Sequence, residues 1–107
     1  MTHHVVMLPR ARRQLYESAM WWSEHRSAKQ TARWVDGFEE VLSTLQEDPE
    51  RFALAPEDDA FSFTVRQLLF GLGRHKTHRA VFEVRDNQVL IHAIRHFAQA
   101  DLVPNDL

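Results

Sequence analysis

Residues 64–96 read TVRQLLFGLGRHKTHRAVFEVRDNQVLIHAIRH, and this stretch decides the fold. From Thr77 to Arg85, and again from Val89 to Ile94, apolar and polar side chains alternate with the period of two that a half-buried strand requires. Asp86-Asn87 between them suits a two-residue hairpin turn, since both residue types tolerate left-handed backbone. With those two as the loop, Val84 pairs with Val89, Phe82 with Ile91 and Ala80 with Ala93, which gathers one wholly apolar face. The other face then holds Arg79, Val81, Glu83, Leu90, His92, Ile94 and His96. A three-residue loop would set Phe82 against His92, so the even register is preferred. Upstream, Phe61, Phe63 and Val65 alternate with Ser62, Thr64 and Arg66. This predicts a further strand, broken at Gly71-Leu72-Gly73, with Arg66 turned away from the phenylalanines.

Toward the N-terminus, His3 to Leu8 is a short β-branched stretch closed by Pro9 and reads as the first strand. Pro9 suits the first turn of a helix, where its missing N–H would have no partner. Ala11, Leu15, Ala19 and Trp22 then form a helical stripe running to about His25, with Arg12, Arg13, Gln14 and Glu17 opposite. Ser27 and Gln30 have the spacing of a capping box and start a second helix almost at once. Its stripe is Ala32, Val35, Phe38, Leu42 and Leu45, and it stops before Asp48-Pro49, because a residue preceding proline is pushed out of the α region. Trp21 lies beside the first stripe as a contact residue, while Trp22 and Trp34 belong to the core. Residues 50–60 have neither period and carry Pro56 and the acidic run Glu57-Asp58-Asp59, so they form a loop. The order is β-α-α-β-β-β: one α+β domain over residues 1–107, a helical hairpin packed on one face of a four-stranded antiparallel sheet.

Composition narrows the functions. The 107 residues carry 13 Lys+Arg against 15 Asp+Glu, so no global positive field attracts nucleic acid or an acidic membrane. There is no cysteine, which removes disulfides, thiol nucleophiles and cysteine-ligated metals and fits a reducing cytoplasm. No apolar run approaches the roughly 20 residues that a membrane helix needs. His92 and His96 share strand parity but stand roughly 13 Å apart on an extended strand, too far to ligate one ion. His75 and His78 lack a third ligand at a useful spacing, so neither metal nor cofactor is expected. No glycine-rich phosphate loop or nucleophile elbow occurs.

What remains is Arg66, Arg79 and His96, from three strands, all on the uncovered face if the registers hold. Two guanidiniums and an imidazole suit phosphate chemistry, because arginine forks match phosphate oxygens and histidine exchanges a proton near neutral pH. The plainer alternative is that strand arginines on a solvated face make ordinary ion pairs with groups such as Glu83.

The order of elements and several short motifs resemble the RelE/ParE superfamily of toxins from bacterial type II toxin–antitoxin modules. The motifs are Pro9-Arg10-Ala11-Arg12-Arg13 with Leu15 opening the first helix, Leu45 to Pro49 closing the second, Val65-Arg66 with Leu68, Arg79 to Phe82, and a last strand closing on His96. The resemblance implies a small cytoplasmic protein that arrests growth when free and is neutralised by a bound antitoxin. RelE-like members cleave mRNA on the ribosome without metal, and ParE-like members are reported to poison DNA gyrase. On the ribonuclease reading Arg66 and Arg79 would hold the scissile phosphate, His96 would act as general acid or base, and His78, Arg95 and Phe97 would contact RNA. This chain departs from the RNA-cleaving pattern in three respects. It is acidic overall, it has His78-Arg79 where Tyr-Arg is usual, and its only tyrosine is Tyr16. A ParE-like toxin, directed at gyrase or of reduced activity, is therefore the expected function. A RelE-like endoribonuclease is the first alternative and a non-catalytic protein-binding module the second. An unpaired sheet edge also leaves a homodimer open.

Overall fold

The computed structural model describes residues 2–106. Two helices, α1 (Pro9–His25) and α2 (Ala28–Ser43), lie on one side of a sheet made of β1 (His4–Met7), β2 (Arg66–Phe70), β3 (His78–Arg85) and β4 (Gln88–His96). Pro9 occupies the first turn of α1 as expected. The capping box at Ser27 is complete: its hydroxyl accepts from the Gln30 N–H at 3.1 Å, and the Gln30 side chain accepts from the Ser27 N–H at 3.4 Å. Helix α2 passes into a 3-10 turn at Thr44–Gln46 and ends against Asp48, whose left-handed φ of 46° precedes Pro49.

The core under the helices is aromatic. Trp34, Phe38, Leu42 and Leu45 from the α2 segment meet Leu68, Phe70, Phe82 and Ile91 from the sheet. Phe38 stacks on Phe70 with ring centroids 4.6 Å apart, and Trp34 meets Phe38 edge-on at 5.4 Å. Trp34 is fully buried and Trp22 partly so, while Trp21 stands half-exposed.

The sheet is mixed, not purely antiparallel. Its order is β1-β4-β3-β2, and β1 runs parallel to β4. Tight hairpins force strands antiparallel, but β1 and β4 are joined by nearly the whole chain, and alternation within a strand says nothing about its direction. The hairpin itself has the expected two-residue turn, with Asp86 at φ 56° and with Val84 opposite Val89 and Phe82 opposite Ile91. Beyond that point the register slips. Val81 pairs with Ala93 instead of Ala80 doing so, and His92 is left as the extra residue of a β-bulge. One inserted residue reverses the side on which every later side chain of β4 emerges. Ile94 and His96 therefore turn toward the helices, and Ala93 and Arg95 turn away.

The first strand of the alternating run also differs from expectation. Residues 61–65 are irregular, and the strand starts at Arg66. Phe61 and Phe63 instead fold over the far side of the sheet, where Ala55, Val65, Val81, Ala93 and Leu102 make a second small core. The face expected to stay open is thus roofed by the loop before β2 and by the C-terminal segment.

Candidate functional site

The three residues expected to converge do not. Arg79 lies on the roofed face and is only 6% exposed. Both of its terminal nitrogens donate to the Glu57 carboxylate, Nη1 to Oε1 at 2.7 Å and Nη2 to Oε2. Nη1 also donates to Gln67 Oε1 at 3.2 Å, and Asp101 stands 3.9 Å away. Glu57 Oε2 further accepts from the Leu102 N–H at 3.0 Å, so one ion pair ties the loop, the sheet and the C-terminal segment together. Burial pushes the Glu57 carboxyl up, yet the hydrogen bonds from Arg79 and the Leu102 N–H prevail and hold it below the usual carboxylate value.

Arg66 pairs across from Phe82 and so emerges on the helix side, where Nη1 donates to the Phe52 carbonyl at 2.7 Å. It does point away from Phe61 and Phe63, but only because those rings cover the opposite face. His96 also lies on the helix side, at the other end of the sheet. It is level with His78 and Phe70, four strand residues or roughly 13 Å from the position of Arg66. Two side chains on one face but far apart, and a third beneath a roof on the other, cannot share one phosphate. The reasons are the bulge at His92 and the roof itself.

Of the residues assigned to RNA contact, Arg95 faces the roofed side and donates to the Ala100 carbonyl. Phe97 is half-exposed just past β4. His78 is buried, with its ring 5.0 Å from both Trp34 and His96 and its Nδ1 2.8 Å from Thr77 Oγ1. Burial first, and the neighbouring His96 second, push its pKa down to about 4, so it is neutral at physiological pH.

His78 and His96 form the floor of a cavity of about 590 Å³ between the C-terminal half of α1 and the end of the sheet. Trp21, Trp22 and Arg26 stand at its rim, and Gln14, Thr77 and Gln99 line its walls. Gln14 was expected on the outer face of the first helix. Instead its side chain turns inward and accepts from the Ile94 N–H at 2.8 Å. Its spacing of three from Ala11 and eight from Trp22 is the signal that a helical-face reading could have used. Glu57 gave no such signal, because an acidic run beside proline looks like any solvated loop.

Beside this cavity α1 exposes Tyr16 and Met20, one turn apart with Arg12 and Arg13 next to them, and Trp21 stands exposed at the cavity rim. Large apolar side chains exposed along a helix mark a protein-contact surface more often than a catalytic one. Among the described residues no group of three or more His, Asp or Glu could hold a metal ion. No described helix is long and apolar enough to cross a membrane.

Comparison with known proteins agrees with this architecture. No curated protein sequence matches the chain. A solved structure described as the chromosomal ParDE TA system from P. aeruginosa is 17% identical, aligns over 89% of this chain and 96% of its own, and has a TM-score of 0.73. At that identity the likeness shows the fold. The family model described as ParE toxin of type II toxin-antitoxin system, parDE, matches residues 5–100. With the helical hairpin, the three later strands and all of β1 but His4 inside that span, the chain belongs to the ParE toxin family of type II toxin–antitoxin systems.

Proposed function

We propose that this toxin acts by binding a protein, DNA gyrase, and is kept inactive in the cytoplasm by a cognate antitoxin that covers it. The observation that carries the reading is the state of Arg79. A guanidinium clamped bidentately by Glu57 under a roof of loop and tail has no fork left for a scissile phosphate. The exposure of Tyr16, Met20 and Trp21 on α1 supports a protein partner, since aromatic and methionine side chains are the types enriched at interfaces.

The test is direct. The chain, expressed without a partner, is expected to arrest growth, and the purified protein to inhibit gyrase supercoiling while leaving the ends of translated mRNA unchanged. Cleavage of translated mRNA with normal supercoiling would return the RelE-like reading. Normal growth with abundant folded protein would remove both.

A further inference from the structure

Two amide side chains that line the cavity at the end of α1 have already committed their oxygens. Gln14 Oε1 accepts from the Ile94 N–H at 2.8 Å, and Gln99 Oε1 accepts from the His96 N–H at 2.7 Å. An amide that has committed its oxygen to backbone has only its NH2 group to offer. Neither NH2 group has a protein acceptor among the described residues, and both residues line the cavity. His96 adds a third donor, because its Nδ1 accepts from the Ala98 N–H at 2.9 Å and the ring proton must then sit on Nε2.

Arg26 supplies charge. Its guanidinium carbon lies 5.5 Å from the Trp21 ring centre and 5.9 Å from that of Trp22, held in the corner of the two indoles. It donates to one backbone carbonyl, that of His25 at 2.9 Å, and pairs with no carboxylate among the described residues. The one carboxylate on the wall, Glu17, is 66% exposed and stands 4.0 Å from Arg13 on the outer side of the helix. His78 beneath them is neutral and adds no charge.

We propose that this cavity is a receptor for an organic oxyanion. A carboxylate or phosphate head sits among Gln14, Gln99, His96 and Arg26, and an aromatic or branched body rests against Trp22 and Ile94. The head follows from the four donor groups of Gln14, Gln99, His96 and Arg26, against the one wall carboxylate, Glu17, which stands largely in solvent. The body follows from the volume, which lies within the range of small-molecule sites and far exceeds a bare ion. The assignment goes beyond the toxin's choice of target and does not depend on it.

Phenyl phosphate, 3-phenylpropionate and inorganic phosphate are titrated into the full chain at constant ionic strength. Binding is read from tryptophan fluorescence and from the NMR shifts of the histidine Cε1 protons. Saturable binding of at least one phenyl anion is expected, about tenfold tighter than inorganic phosphate. Preference for phenyl phosphate identifies a phosphomonoester as the natural head, and preference for phenylpropionate identifies a carboxylate. Gln14→Glu and Gln99→Glu each keep the oxygen that the backbone needs and put a negative oxygen where the NH2 group was. Each is expected to weaken binding at least about tenfold with an unchanged circular dichroism spectrum. Arg26→Gln provides a third variant outside the packed core. Linear shifts equal to those produced by chloride, equal binding of phenethylammonium, or full affinity in folded Gln14→Glu and Gln99→Glu proteins would each overturn the assignment.

Discussion

Replacing Glu57 by glutamine separates the structural role of Arg79 from a chemical one. The substitution leaves a nearly buried guanidinium without its counter-charge but keeps an oxygen for the Leu102 N–H. Breaking a buried, hydrogen-bonded pair costs about 3–5 kcal/mol. Asp101, at 3.9 Å and 65% exposed, recovers about 1 kcal/mol at most. The expected loss is therefore about 3 kcal/mol, a large part of the stability of a domain this size. At about 4–8 °C per kcal/mol, it should lower the Tm by more than about 12 °C. The double variant Glu57→Gln/Arg79→Met removes the orphaned charge and lets the new amide NH2 face Gln67 Oε1, which Arg79 now occupies. It should return to within about 1 kcal/mol of the parent, because apolar replacement of a buried pair is often neutral. Urea unfolding followed by circular dichroism gives both numbers, and growth arrest on induction gives the function. A clamp predicts that the double variant arrests growth as the parent does. A loss below about 1 kcal/mol in the single variant, or a stable double variant that no longer arrests growth, would refute this account of Arg79.

The burial of His78 gives a pH dependence. Unfolded, the ring takes up a proton near pH 6.5; folded, it does so only near pH 4, so stability is full above about 6.5 and declines as the pH falls toward 4. Urea midpoints at pH 7, 5.5 and 4.5 should show a decline attributable to this residue of at most about 3 kcal/mol, flattened in His78→Phe. Ser27→Ala removes the hydroxyl acceptor of the capping box and should cost about 1 kcal/mol in the same assay, with Ser27→Gly milder. Gly71→Ala would put a methyl 2.0 Å from the His75 carbonyl oxygen, which belongs to backbone and cannot swing aside. A cost of about 1–3 kcal/mol or more is expected, with chemical-shift changes centred on residues 70–77.

Elements with strong local signals were legible in the sequence. The 3.6-residue stripes gave both helices, Ser27 and Gln30 gave the cap, and Asp86-Asn87 gave the hairpin turn with its first pairs in register. The errors came from terms that local pattern does not carry. Whether β1 runs with or against β4 depends on a connection spanning most of the chain. The bulge at His92 has no composition of its own: the extra residue is accommodated because its imidazole reaches the buried Glu83 carboxylate at 2.8 Å and lies beside Phe63. That single insertion moved His96 to the opposite side from Arg79, and with it went the convergence inferred from strand parity. Glu57, which decides the fate of Arg79, sits 22 residues away in a segment with no period at all.

The parallel edge of the sheet also orders events in time. Strand β1 and helix α1 leave the ribosome well before the strand they pack on: β1 pairs with β4, and Gln14 secures Ile94 across 80 residues. At about 5–20 residues per second, the early part of the nascent chain waits seconds with its side of the sheet unmade. A chain stopped before β4 would lack Ile94 and His96 of the cavity and the Leu102 N–H that Glu57 holds, so this domain cannot assemble until those residues have been made.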